Sequence, residues 1–197
     1  LIAPEVPGFL ATYPQVSIRL RLTDRKVDLT NEGLDLAFFL GTLEDSNLRM
    51  RKIADVARVL CASPDYIEVH GNPASGDELV SDGHECLNLR FPGATEFQWR
   101  LMTEAGPQKV RVAGRYESDD GDVLTDWALS GNGIALKPIF EVSEHIKAGR
   151  LIPVAVNTPP EPIQMACLFT HRKRQDPKTR LFMEYVIERI AGAVNDT

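Results

Sequence analysis

A long apolar run is the first thing this 197-residue chain lacks. Nothing in it approaches the roughly 18 uninterrupted apolar residues that a membrane span requires. Its first residues also lack the basic stretch followed by an apolar one that marks a secretory leader. Cysteine is scarce: Cys61, Cys86 and Cys167 are odd in number and far apart, which excludes a fully paired disulfide framework and fits a reducing, cytoplasmic location. The one close Cys/His spacing is His84-x-Cys86, whereas a structural zinc takes four ligands from paired short spacings, so no metal is expected. Basic charge is also in deficit, with 22 Lys and Arg against 28 Asp and Glu and a formal charge of −6. Affinity for nucleic acid depends on cationic side chains displacing counterions, so these residues are not expected to bind DNA by themselves. The one basic cluster, His171-Arg172-Lys173-Arg174, separates a strand-like from a helix-like segment and reads as a solvated loop.

Catalytic signatures are missing as well. There is no Gly-x-Ser-x-Gly elbow, no P-loop and no histidine with an obvious nucleophile beside it. Gly131-x-Gly133 lacks the third glycine and the preceding strand of a dinucleotide fingerprint and is better suited to ending a helix. No catalytic residue and no cofactor are expected. The sequence begins Leu1-Ile2-Ala3-Pro4 without an initiating methionine, and we expect it to be part of a longer chain.

What is present is the alternation of helix and strand signals of an α/β protein. Ile2 to Thr12 carries Val6, Phe9 and Leu10 at helical spacing and ends before Tyr13-Pro14, where the residue preceding proline is pushed out of the helical region. Residues 16–22 alternate without a fault, with Val16, Ile18, Leu20 and Leu22 on one face and Ser17, Arg19 and Arg21 on the other, which predicts a strand. A short helical stretch at 26–32, stopped by Gly33, precedes the apolar run Leu34–Leu40, which suits a strand buried on both faces of a parallel sheet. An extended stretch with Ile53, Val56, Val59 and Leu60 leads to Ala62-Ser63-Pro64, where proline opens a helix to His70. Strands are expected around Leu87–Phe91, Phe97–Leu101 and Lys109–Ala113. Ser118-Asp119-Asp120 supplies capping side chains for a helix closed by Gly131. After it come a strand at Ile134–Leu136, a helix between Pro138 and Gly149, a strand at Ile163–Phe169, and a last helix from Lys178 burying Phe182, Tyr185, Val186 and Ile190.

Several phrases along this path resemble one family in their joint order and spacing. They are Phe9-Leu10-Ala11-Thr12-Tyr13-Pro14-Gln15-Val16; Asp24-Arg25-Lys26-Val27-Asp28-Leu29-Thr30-Asn31-Glu32-Gly33-Leu34-Asp35-Leu36-Ala37; Leu60-Cys61-Ala62-Ser63-Pro64-Asp65-Tyr66; Asp120-Gly121; Trp127-Ala128-Leu129; Gly131-x-Gly133-Ile134-Ala135; and Ala148-Gly149-Arg150-Leu151. The chain resembles the effector-binding domain of LysR-type transcriptional regulators over nearly its whole length. That resemblance implies an α/β, two-lobed fold like the type 2 periplasmic binding proteins, with a ligand cleft between lobes. The first lobe is expected at 1–62 and 163–197, the second at 63–162. It implies a DNA-binding domain N-terminal to these residues, self-association as a dimer or tetramer through the first helix and residues 16–22, and a small-molecule effector. It also implies that one strand, lying between 16–22 and 35–40 in the sheet, precedes Leu1.

Ligands of open α/β sheets sit beyond the carboxyl ends of strands, near helix N-termini. By that rule the effector candidates are Thr23, Phe39, Gly41, Thr42, Ser63, Arg90, Ser118 and Asp119. Each has a plainer alternative: Thr23, Ser118 and Asp119 as helix caps, Phe39 as core, Arg90 as a solvated residue or the partner of a surface carboxylate. Where many relatives have Arg-x-Gly, this chain has Phe39-Leu40-Gly41. An arginine there could grip a carboxylate in a bidentate fork, and phenylalanine offers only ring contact, so the expected effector is an organic acid or an aromatic metabolite, less anionic or more aromatic than is usual. Two other functions stay open on the sequence: a stand-alone solute-binding protein of a transporter, which shares the fold, and an enzyme.

Overall fold

The computed structural model describes residues 1–23, 27–41, 48–90, 98–170 and 176–195. In chain order its elements are α1 (Glu5–Thr12), β1 (Leu36–Gly41), β2 (Arg49–Val56), β3 (Arg58–Ala62), α2 (Pro64–His70), α3 (Gly76–Ser81), β4 (Cys86–Leu89), β5 (Gln98–Thr103), β6 (Gly106–Arg111), β7 (Glu117–Ser118), α4 (Gly121–Leu129), β8 (Ile134–Pro138), α5 (Ile139–Lys147), β9 (Ile152–Val154), β10 (Ile163–Phe169) and α6 (Pro177–Asn195). They divide into two compact units, Leu1–Val56 with Ile163–Thr197, and Ala57–Pro162. The cluster His171–Arg174 lies outside the described residues.

Unit 1 is a three-stranded sheet in the order β1-β10-β2, antiparallel throughout. The central β10 is buried over its last five residues, and α6 covers one face through Met183 on Cys167 and Phe169. Helix α1 is held by one residue: Phe9 is fully buried, with its ring centroid 4.8 Å from Tyr13, 5.0 Å from Phe182 and 5.3 Å from Tyr185. The last two of those rings stand on α6, so the apolar spacing of both helices meets at this point.

Three expectations fail in this unit. Residues 16–22, despite their alternation, belong to no sheet, and Leu20 and Leu22 are 43% and 78% exposed. Alternation assigns faces to an extended segment, but a strand exists only where a neighbour takes its hydrogen bonds. Of the stretch at 26–32, residues 29–32 form, with Gly33, a turn built on Asp28, whose carboxylate accepts the Asn31 and Thr30 N–H groups at 3.0 Å. Those bonds hold the Asp28 carboxyl below its ordinary pKa. The apolar run does form β1, but among the described residues it is an edge strand paired only with antiparallel β10, and all six of its residues are half-buried. Arg21, on the polar face of that segment, is exposed and ion-paired with Glu32.

Unit 2 has a five-stranded sheet, β7-β4-β8-β3-β9, with β4 parallel to β7 and β8. Strand β3, which the sequence reading places with the first lobe, takes its hydrogen bonds here, from β8 and β9. Period-2 alternation sorts its core into two layers. Leu60, Cys86 and Ile134 face a layer that includes Leu79, Trp99 and Leu101, whereas Cys61, Leu87 and Ala135 pack with Leu124, Ala128 and Val142 of α4 and α5. The hairpin β5–β6 closes the first layer. Gly114 allows a close approach, since a Cβ there would lie 1.9 Å from the Cys86 carbonyl oxygen.

A buried pair ties α2 to the start of β4. The Tyr66 hydroxyl accepts the Glu85 N–H at 3.0 Å and lies 3.1 Å from His84 Nδ1. Which of the two groups donates in this contact depends on the His84 tautomer. Burial lowers the His84 pKa, nearby His70 acts in the same direction, and Asp82 opposes them. Because the folded-state pKa lies below the unfolded one, the unfolded chain binds more protons, and stability is full above about pH 6.5 and falls as pH drops through and below it. We expect the melting temperature to decline from pH 7 to pH 5, and His84→Gln to flatten that slope; an unchanged slope would show that His84 does not carry it.

Candidate functional site

Strands β4 and β7 end side by side, with Leu89 opposite Ser118. One residue on, the Arg90 N–H donates to the Ser118 carbonyl at 2.8 Å, and the Arg90 guanidinium pairs with Glu117. The plainer reading of Arg90, as the partner of a carboxylate, is thus realised. Asp120 caps α4 by accepting the Asp122 N–H at 2.8 Å, and Ser118 Oγ accepts the Asp120 N–H at 3.1 Å. Arg90, Ser118 and Asp119 therefore come together at the carboxyl ends of parallel strands, next to the first turn of α4, the end of a helix that favours negative charge. At this same end of the sheet the chain enters and leaves the unit. Arg58, opening β3, pairs with Pro138, and its Nε donates to the Glu161 carbonyl at 2.7 Å.

Ser63 is not part of that group. It follows the far end of β3, is 3% exposed, and its Oγ accepts the Tyr66 N–H at 3.2 Å as the cap of α2. The nearest feature of α4 is its C-terminal side, where a Cβ on Gly131 would lie 3.6 Å from Ser63 Oγ. In unit 1, Phe39 and Gly41 share one face of β1, and the Phe39 ring folds over the glycine, so a Cβ on Gly41 would meet it at 2.8 Å. Thr23 is exposed and follows the unpaired segment 16–22. Thr42 lies outside the described residues.

Two residues near the cluster escaped the sequence reading. Glu117 is the partner of Arg90, 27 positions away. Lys137 is only 3% exposed, and its ammonium donates to the Gly121 carbonyl at 2.9 Å and pairs with Glu141 at 2.6 Å, pinning the start of α4 to β8. The one available signal was the i, i+4 spacing of Lys137 and Glu141 across a strand–helix junction.

All three cysteines are buried, and burial pushes each thiol up to about 12. The thiolate is the reactive form, so these sulfurs are inert at neutral pH. A disulfide-exchange reagent is expected to label none of them in the native chain and all three in guanidinium; rapid native labelling would contradict their placement. Among the described residues, no helix is long and apolar enough to cross a membrane, and no group of three or more His, Cys, Asp or Glu is placed to hold a metal ion.

The model of one family, described as the LysR substrate binding domain, matches residues 1–191. The chain belongs to this family. Among relatives, it is 34% identical over 189 residues to the HTH-type transcriptional regulator DmlR of Escherichia coli K12, covering 94% of this chain and 60% of DmlR. Its fold matches the regulatory domain of CrgA, a LysR-type transcriptional regulator from Neisseria meningitidis, with a TM-score of 0.79 and 29% identity over 95% of this chain and 91% of that one. It matches the AphB regulatory domain of Vibrio vulnificus treated with cumene hydroperoxide with a TM-score of 0.76 and 28% identity, covering 95% and 92%. The α/β architecture is thus that of LysR-type regulatory domains, which are type 2 periplasmic-binding-protein-like. The chain spans about 60% of the length of the curated relatives it matches, and those relatives carry the names of transcriptional regulators rather than of enzymes or transport proteins.

Proposed function

We propose that this LysR-family domain senses a small organic molecule for a cytoplasmic transcriptional regulator, which meets DNA through a part of the protein outside these residues and works as a dimer or tetramer. The observation that supports it is the convergence of Arg90, Ser118 and Asp119 at the carboxyl ends of β4 and β7, beside the start of α4. The effector is an organic acid or an aromatic metabolite. The Arg90 guanidinium suits a carboxylate. On the family resemblance, Thr23, Phe39, Gly41 and Thr42 are the unit 1 contacts, and the Phe39 ring suits an aromatic or apolar portion. Ser63 leaves the set, its hydroxyl being committed to capping α2.

The test separates capping from binding. Asp120→Ala removes the cap and is expected to lower stability by about 0.5–2 kcal/mol. Ser118→Ala and Asp119→Ala are expected to weaken the effector about tenfold, a loss typical of a hydrogen bond to a charged group, whatever each costs in melting temperature. The effector itself is found by thermal shift. A ligand at 100 times its Kd adds about 2.7 kcal/mol, or roughly 5–10 °C for a chain of this size. Failure of organic acids and aromatic acids alike to shift melting, or full effector affinity in both variants, would overturn the proposal.

A further inference from the structure

One corner of unit 1 is lined by arginine. Alternation puts Arg49 and Arg51 on one face of β2 with Ile53, and the register sets them opposite Phe169 and Cys167 of β10. Helix α6 covers that face through Met183. Its Arg180 and Glu184, one turn apart, complete with Met50 a groove of about 340 Å³. The groove has an apolar base, Phe169 and Met183 being 4% and 6% exposed. Its rim carries three guanidiniums and one carboxylate, leaving two positive charges uncompensated. Among the described residues, no side-chain hydrogen bond or ion pair engages Arg49, Arg51 or Arg180. Like charges gathered on a chain whose net charge is −6 repel one another until an anion joins them.

We infer that this groove is a second ligand site, taking a small organic dianion with an apolar body about the size of an aromatic ring. The charge count sets the two negative charges. The forked guanidinium donors match carboxylates held side by side, and the Phe169–Met183 base favours a ring over a hydrated inorganic ion. The volume is at the small end of ligand pockets, room for one ring and its substituents. The site is lined wholly by unit 1 residues, none of them among the effector candidates, and does not depend on the function proposed above.

Phthalate is a suitable probe, with benzoate and sulfate as controls, followed through the methyl resonance of Met183 in the full chain. Phthalate is expected to shift the Met183 methyl saturably, and benzoate and sulfate to bind about tenfold more weakly, each lacking either a charge or the ring. Arg51→Gln and Arg180→Gln, at exposed positions, are expected each to weaken phthalate about tenfold without lowering the melting temperature. Asp119→Ala is expected to leave the Met183 response intact. The inference falls if phthalate fails to saturate the Met183 response by about 10 mM, weaker than any useful affinity. It also falls if the double arginine variant binds like the parent, or if Asp119→Ala abolishes the Met183 shift.

Discussion

Phe9→Ala is expected to lower the melting temperature by roughly 6–20 °C in a calorimetric scan. Truncating a buried phenylalanine costs about 3–5 kcal/mol, and each kcal/mol moves the midpoint of a chain this size by about 2–4 °C. The upper part of the range applies where the surroundings cannot close over the cavity, and here they cannot. The backbone of α1 already touches α6, since a Cβ on Gly8 would lie 2.6 Å from the Tyr185 hydroxyl oxygen. The helix has no room to move inward, and the rings of Tyr13, Phe182 and Tyr185 lose their common neighbour together. The pair between Glu5 and Arg189 at 3.4 Å is exposed and contributes little in compensation. Val69→Ala, at a 76% exposed position, is the control and should stay within about 2 °C. A drop below about 3 °C for Phe9→Ala would mean that α1 is not docked on α6.

The elements legible in the sequence are those whose signals are local. Ser63 and Pro64 open α2, Asp120 and Gly131 bracket α4, and the spacing of Phe182, Val186 and Ile190 marks the buried stripe of α6. The elements that were misread depend on partners distant in sequence. Residues 16–22 and 36–40 have strand patterns of equal quality, yet only the second finds β10, more than 120 positions further on. Whether an apolar run is a parallel core strand or an antiparallel edge is decided by that partner and not by the run itself. Helix α3 is six residues long, too short to display a period, and β7 and β9 are shorter still. The candidate site divides in the same way. The rule that ligands sit beyond strand ends led to Arg90, Ser118 and Asp119, which stand at the carboxyl ends of β4 and β7. It led equally to Ser63, which caps α2 at the opposite end of the sheet, because the end a strand reaches is set by its partners and not by its local sequence. Nor could it pair Arg90 with Glu117 or recognise that Lys137 is buried, both being consequences of sheet order.

A strand supplied to the outer edge of β1 is expected to raise the melting temperature by roughly 5–15 °C and to protect two separate sets of amides from hydrogen exchange. Strand β1 has Leu36, Ala37, Phe38, Phe39 and Leu40 in succession, a composition suited to burial on both sides, yet every residue is only half-buried and β10 is its one partner among the described residues. The same unit contains a second apolar face that is incompletely covered, that of residues 16–22, where Val16 and Ile18 are half-buried and Leu22 is 78% exposed. Fully covering a leucine contributes about 1.5–3 kcal/mol, and each new backbone hydrogen bond about 0.5–1.5 kcal/mol net, against about 1–2 kcal/mol per residue for ordering the added strand. A strand lying between the two segments satisfies both at once, which is the arrangement the family resemblance implies. The experiment extends the chain before Leu1 by roughly a dozen residues, enough for one strand and a loop, and measures melting, effector affinity and exchange. A strand that merely adds to the sheet edge protects the amides of 36–41 alone. One inserted between the segments protects 36–41 and 16–22 together and gives residues 16–22 the sheet partner their alternation calls for. If neither set gains protection and melting does not rise, the two apolar faces are unrelated and residues 16–22 have another role.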